Sequence, residues 1–225
     1  MLSNLQNALI ENKFLRWSFD IIYISAPLLL VFFTINDYNG RIILAFFVSL
    51  FCMLYGIFFS KFSFISSEGF VNWVFVSLIF TARNKKDFYF KLHVVRLVFI
   101  VIFSSAALWK IRTGALFNIE QMSGIFLKQH STYLSVANSD WYTTLITYLI
   151  NHKNISYCLY LLATIGELAF ITGLFTRKFD KYLIAVFLFF IFFDYFFMAI
   201  NYIGWIVFMA CFYFSKYQLQ EKNNF

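Results

Sequence analysis

The chain has little of what a water-soluble domain is made from. Charged side chains are only 13% of its 225 residues and proline occurs once, far from the balance that a solvated surface demands. Its three cysteines, Cys52, Cys158 and Cys211, stand in apolar sequence with no CxxC pair or regular spacing. They read as packing residues rather than a disulfide framework. None of the eight glycines belongs to a GxGxxG or P-loop pattern, and no GxSxG occurs, which excludes the common nucleotide and acyl-hydrolase signatures. The three histidines show no HxxH or HxxxH spacing, so no metal site is expected. His130 and His152 read as surface residues and His93 as interfacial.

What is present is apolar and aromatic: 61% hydrophobic residues, 24% aromatic, and 34 phenylalanines. A membrane-crossing helix needs about 20 mostly apolar residues, and several such runs follow one another with short polar breaks. The expected fold is all-α, a polytopic transmembrane helix bundle of about six or seven spans in a single domain over residues 1–225. Spans are predicted near 17–35, 42–60, 65–82, 90–111, 155–174, 181–200 and 201–215, the last two separated by a break at Asn201 and Gly204. The third carries Glu68, Gly69 and Asn72, so it is expected to be tilted, partly water-facing or packed only against protein. The segment 112–153 is too hydrophilic to span and too aromatic for a linker. It predicts short interfacial helices capping one mouth of the bundle between the fourth and fifth spans. Before the first span, Leu2, Leu5, Ala8, Leu9, Asn12 and Leu15 suit a short helix on the membrane surface, with ordinary terminal fraying as the alternative. The first apolar run exceeds signal-peptide length and lacks a small-residue cleavage site, so it is expected to remain as a helix.

The formal charge of +7 does not form the continuous basic stripe of a nucleic-acid partner; the bilayer is the expected partner. With seven crossings, one side receives ten cations (Arg41, Arg83, Lys85, Lys86, Lys91, Arg177, Lys178, Lys181, Lys216, Lys222) and the other six. The positive-inside rule makes the first side cytoplasmic and puts 112–153 on the outer face.

Charges at membrane depth are costly and are functional candidates by default. They are Asp20, Arg96, Lys110, Glu167 and Asp194. Arg96 and Lys110 lie fourteen residues apart, within roughly 40° of one helix face and about 21 Å apart along it. Ser104, Ser105, Ala106 and Ala107 permit close approach of a neighbouring helix, which could bring Glu167 or Asp194 into pairing range. Two readings stand side by side: buried structural pairs that hold helices in register, or, for Lys110, a desolvated amine able to act as a base.

The stretches RLVFIVIFSSAALWKI (96–111), FNIEQMSGIFLKQH (117–130) and IGELAFITGLFTRKFDKYLIAVFLFFIFFDYFFMAINYIGWIVFM (165–209) resemble the horizontally transferred transmembrane (HTTM) family. That family is related to the membrane domain of vitamin K-dependent gamma-carboxylase. The resemblance covers the second half of the chain, and the first third by hydropathy alone. It places Lys110 at the position of the base that acts on vitamin K hydroquinone and Arg96 at a preceding family arginine. Glu167 with Thr176 and Arg177 repeats a family acid followed by Thr/Ser-Arg. It implies a bacterial inner-membrane protein, with Lys110 toward the outer face and a quinone-like lipid as ligand. Residues 64–75, where the carboxylase has its catalytic histidine, hold Glu68 and Asn72 but no histidine. A second family histidine falls near Ile191, where Asp194 is the nearest polar group, and the soluble substrate-gripping domain is absent. The expectation is therefore a carboxylase-related protein, enzyme or redox partner, that is not a full glutamate carboxylase. In it Lys110 would be the candidate base, and Arg96, Glu167 and Asp194 would shape the pocket. The alternative is a non-enzymatic accessory for maturation, export or immunity of a secreted peptide, with Trp141 in the aromatic cap as a contact anchor.

Overall fold

Apolar runs broken by Asn, Gly and basic clusters become helices broken at those same places. The computed structural model describes residues 6–7, 11–36, 38–59, 75–136, 140–198, 200 and 202–215. The helices are α1 (Lys13–Ile35), α2 (Arg41–Phe59), α3 (Lys85–Arg112), α4 (Gln121–Val136), α5 (Trp141–Asn151), α6 (Lys153–Ala169), α7 (Thr172–Phe175), α8 (Asp180–Phe197) and α9 (Ile206–Phe214), with 3-10 turns at Ala115–Phe117 and Ile203–Trp205. No strand occurs among the described residues.

Three stretches are long and apolar enough to cross a membrane: Lys13–Thr34, Lys85–Arg112 and Lys153–Phe175. A fourth apolar helix, Arg41–Tyr55, is shorter. These match the first, fourth, fifth and second predicted spans. The predicted span 181–200 appears as α8, but Asp180, Lys181 and Asp194 within its 18 residues weaken it as a lipid-crossing element. The predicted span 201–215 appears as a 3-10 turn followed by nine residues of α9, about 14 Å of helix, less than half the roughly 30 Å hydrocarbon core. The predicted 65–82 span, with Glu68, Gly69 and Asn72, lies mostly outside the described residues, as do Asn201 and most of the opening segment.

The chain divides into two compact units, Met1–Arg96 with Ile203–Phe225, and Leu97–Tyr202. In the first, the Asn12 side chain caps α1 by accepting from the Phe14 and Leu15 backbone N–H groups, a frequent N-cap arrangement. Pro27 sits inside α1, where membrane helices tolerate it because neighbours satisfy the freed carbonyl. The turn 36–40 folds α2 back onto α1 around Ala26, Leu30, Ala45, Val48 and Cys52. Tyr23 stacks on Tyr55 at 4.5 Å, and the Tyr55 hydroxyl donates to Asp20 at 2.6 Å, which gives that intramembrane acid a partner. Asn84 and Asp87 cap α3 reciprocally, Asn84 accepting from Asp87 N–H and Asp87 from Arg83 N–H.

In the second unit α3 ends at Gly114, whose φ of 74° is the left-handed conformation that glycine adopts without a Cβ clash. Phe103 packs edge-on against Phe170, Phe187 and Phe190 with centroids 4.6–5.2 Å apart, the arrangement favoured by the aromatic quadrupole. A second core gathers Met122, Phe126, Leu149, Tyr160 and Phe193 beneath α4 and α5. The predicted fifth span is not one even helix: past Glu167 the hydrogen bonds tighten to three-residue spacing (Phe170 to Glu167, Ile171 to Leu168, Gly173 to Phe170), a 3-10 interruption.

Candidate functional site

The last turns of α3 and α6 carry the principal charged constellation of the second unit. Lys110 Nζ donates to both oxygens of Glu167, at 2.7 and 2.8 Å, and lies 5.1 Å from the centroid of the Tyr160 ring. Glu167 is 3% exposed and Lys110 22%. The pair thus has a dry carboxylate side and a partly open ammonium side. Asp194 on α8 is buried and lies within electrostatic range of both partners. Burying an unpaired carboxylate is unfavourable by several kcal/mol, so the contacts around Nζ follow from the positions of Glu167 and Asp194. An amine that donates to both oxygens of one carboxylate is committed to it; acting as a base requires leaving it.

Arg96 belongs to the first unit. It is fully buried, with its guanidinium carbon 5.1 Å over the Phe212 ring of α9, a cation–π contact in a dry setting. The structure therefore brings Lys110, Glu167 and Asp194 together and holds Arg96 elsewhere on α3. Of the candidate small-residue run, Ser104 and Ala107 are buried and Ser105 and Ala106 exposed. Arg177 faces Asp180 at 3.7 Å.

An apolar groove of about 220 Å³ runs between α6 and α8, and Lys110, Glu167 and Asp194 are not among its lining residues. One wall is a single face of α6, Leu159, Leu162, Ala163 and Gly166; the other is a face of α8 that includes Val186, Phe189, Phe190 and Phe193. Each set repeats at three- and four-residue steps, the helical period. Gly166 and Glu167 are consecutive, as are Phe193 and Asp194, so groove and charges share the same helix turns. The groove was not foreseen in the sequence, although the small pair Ala163 and Gly166 opposite a phenylalanine row is its signal.

The segment 112–153 contains the helices α4 and α5. Their side chains finish α8: the Tyr142 hydroxyl donates to the Phe196 carbonyl at 2.7 Å, and His130 Nε2 donates to the Phe197 carbonyl at 2.7 Å. The last carbonyls of a helix lack intrahelical partners, and these two residues supply them. His130 is therefore a buried structural residue, which corrects its reading as a surface histidine. His152 is exposed and stacks on Tyr148. Trp141 is 68% exposed, with one ring face on Phe196. Cys52 and Cys211 are buried as expected, whereas Cys158 is exposed. Hydrogen bonds from Thr143 and Tyr133 hold the Asp140 carboxyl below its usual range. The hydrogen bond and charge of Lys153 do the same for Glu120. Among the described residues no three His, Cys, Asp or Glu side chains come together as a metal site.

Comparison of the chain with protein-family models, curated proteins and solved structures returns no match. Fold and composition define its class: an all-α, membrane-associated protein with a partly buried lysine–glutamate pair and an apolar groove in the same unit.

Proposed function

We propose that the protein is an HTTM-like membrane protein that binds a quinone-like lipid in its second unit, related to the carboxylase but not a full glutamate carboxylase. The observation that carries this reading is an apolar groove whose lining residues Gly166 and Phe193 share helix turns with Glu167 and Asp194. At about 220 Å³ the groove is smaller than the roughly 300–1,000 Å³ that encloses a whole small molecule. It suits an isoprenoid chain while the ring meets the charges. Transfer of the ammonium proton from Lys110 to Glu167 would leave a neutral amine beside a neutral acid. Lys110 could then take a phenolic proton and become ammonium again, with Asp194 opposing the returning positive charge. Protein purified from membranes should carry a co-extracted quinone detectable by solvent extraction and mass spectrometry. Lys110→Ala should lose it and Lys222→Ala should keep it; an equal isoprenoid content in the wild type and Lys110→Ala, or none in either, refutes the reading.

The exposed Trp141 ring supports a second reading, a non-enzymatic accessory for maturation, export or immunity of a secreted peptide, with the cap as contact surface. Full biological activity in Lys110→Ala together with its loss in Trp141→Ala would decide for it. The orientation with 112–153 outside the bacterial inner membrane belongs to both readings and rests on loop charge.

A further inference from the structure

The first unit contains a cavity of a different character. It has a volume of about 370 Å³ and is lined by Arg41, Arg83 and Lys85, with Thr34, Asn84 and Tyr89 among its other walls. The three cations come from separate segments: Arg41 opens α2, Lys85 opens α3, and Arg83 lies in the loop before it. No carboxylate lines the cavity. Asp87, the acid of the first turn of α3, instead accepts from the Arg83 backbone N–H and the Lys91 ammonium. One Arg41 nitrogen points to the Ala82 carbonyl at 3.5 Å, tying the guanidinium to the loop that forms the rim.

Two helix N-termini thus converge where three basic side chains already meet. Each N-terminus presents the positive end of a helix dipole, and such ends favour phosphate. Tyr89 and Asn84 add groups able to donate hydrogen bonds, while the Thr34 hydroxyl donates to the Leu30 carbonyl at 2.7 Å. The cavity lies where α1 ends and α2 and α3 begin, the membrane-boundary end of these apolar helices. Ile43, two residues into α2 from Arg41, is 76% exposed, an apolar surface of the kind acyl chains cover. The same cations belong to the loop set that the charge asymmetry assigns to the cytoplasmic face, where anionic lipids concentrate.

We infer that this cavity is a phosphate-binding site whose occupant is the headgroup of an anionic phospholipid. The lipid's phosphodiester sits among Arg41, Arg83 and Lys85 while its chains lie along α1 and α2. Free inorganic phosphate shares the chemistry but has no use for the apolar surface beside the site.

The test uses the full chain in nanodiscs containing phosphatidylglycerol or phosphatidylcholine, with retained lipid counted by mass spectrometry after detergent exchange. Wild-type protein should retain phosphatidylglycerol over phosphatidylcholine. The variant Arg41→Gln/Arg83→Gln/Lys85→Gln should bind it about 100-fold more weakly, from roughly fivefold per basic group. Lys128→Gln, an exposed cap residue, should behave as wild type. Inorganic phosphate titrated in a separate arm identifies the source: saturable phosphate binding lost in the triple variant, without lipid preference, keeps the phosphate site and overturns the lipid occupant. Should the triple variant aggregate, Lys85→Glu alone, with circular dichroism and elution volume unchanged, should still reduce phosphatidylglycerol retention. Equal retention of both lipids together with no phosphate binding, or undiminished binding in the variants, overturns the inference.

Discussion

Removing one member of the Lys110–Glu167 pair should do far more harm than removing both. In Lys110→Met the Glu167 carboxylate, 3% exposed, loses the ammonium that donates to both its oxygens. Breaking a buried pair from one side costs about 3–5 kcal/mol; because Lys110 is 22% exposed, the lower end, about 3 kcal/mol, is the appropriate figure. In a chain of this length that corresponds to a fall of about 6–12 °C in unfolding midpoint. In Lys110→Met/Glu167→Leu both members of the pair go together and the volumes are nearly kept, leaving only the buried Asp194 without the nearby ammonium, so most of the stability lost in the single variant should return. Thermal unfolding in one detergent, followed by circular dichroism, gives the four corners of the cycle, and the coupling term should be at least about 1 kcal/mol. A single variant as stable as wild type, or a double variant worse than either single, would refute the electrostatic account of the site. The same double variant separates structure from chemistry: under the quinone reading it folds well and retains no quinone.

Three further outcomes follow from the geometry. Tyr142→Phe removes the donor to the Phe196 carbonyl and should lower stability by about 1 kcal/mol, measured by the same unfolding assay. Gly166→Ala puts a Cβ 3.4 Å from Val186 Cγ1 and gains helix propensity worth up to about 1 kcal/mol, so it should fold at least as well as wild type and keep the co-extracted lipid. Gly166→Phe should fill the groove and exclude the lipid; retention of the lipid in Gly166→Phe would show that it lies elsewhere. Asp140 and Glu120 both titrate below their ordinary values of 3.8 and 4.5. Such groups stabilise the folded cap fully above those values, and the contribution is lost as pH falls through the lower folded-state values. Trp141 emission in a variant keeping only that tryptophan should therefore be constant from neutrality to about pH 5 and change only in more acidic solution; a transition near neutrality would contradict this assignment.

Much of the helical frame was legible because long apolar runs admit few alternatives. The ends predicted for the first, second and fourth spans fall within five residues of those of α1, α2 and α3, fixed by Asn12, by the polar turn 36–40 and by the Asn84–Asp87 cap. The meeting of Lys110 with Glu167 was open as one of two pairings, since helix period restricts which faces can meet but not which acid arrives. In the C-terminal third the predicted spans 181–200 and 201–215 appear as α8 and as a 3-10 turn with α9, and neither is among the three helices long and apolar enough to cross. Hydropathy counts phenylalanines without asking which face they take: Phe187 and Phe190 pack on Phe103, whereas Phe189 and Phe192 point outward. His130 was misread because its partner is a carbonyl on α8, sixty-seven positions along the chain, and no local pattern marks a residue that caps a distant helix. The basic cavity was visible only as loop cations, since nothing in the spacing of Arg41 and Arg83 says that they share one opening.

The first unit is discontinuous in sequence: α9 joins it after the whole second unit has been made. During synthesis Arg96 therefore enters the membrane without the Phe212 ring that ends up under its guanidinium. At about 5–20 residues per second the interval is on the order of ten seconds. Throughout it the guanidinium lacks that ring face. In the second unit the wait is shorter, since Lys110 meets Glu167 after 57 residues and all the parts of that unit are contiguous. Assembly is thus ordered by chain connectivity, with the inserted segment closing first and the N-terminal hairpin completed last. A ribosome that stops before residue 203 leaves a contiguous second unit and a first unit without α9, so that the Phe212 ring is missing from beneath the Arg96 guanidinium.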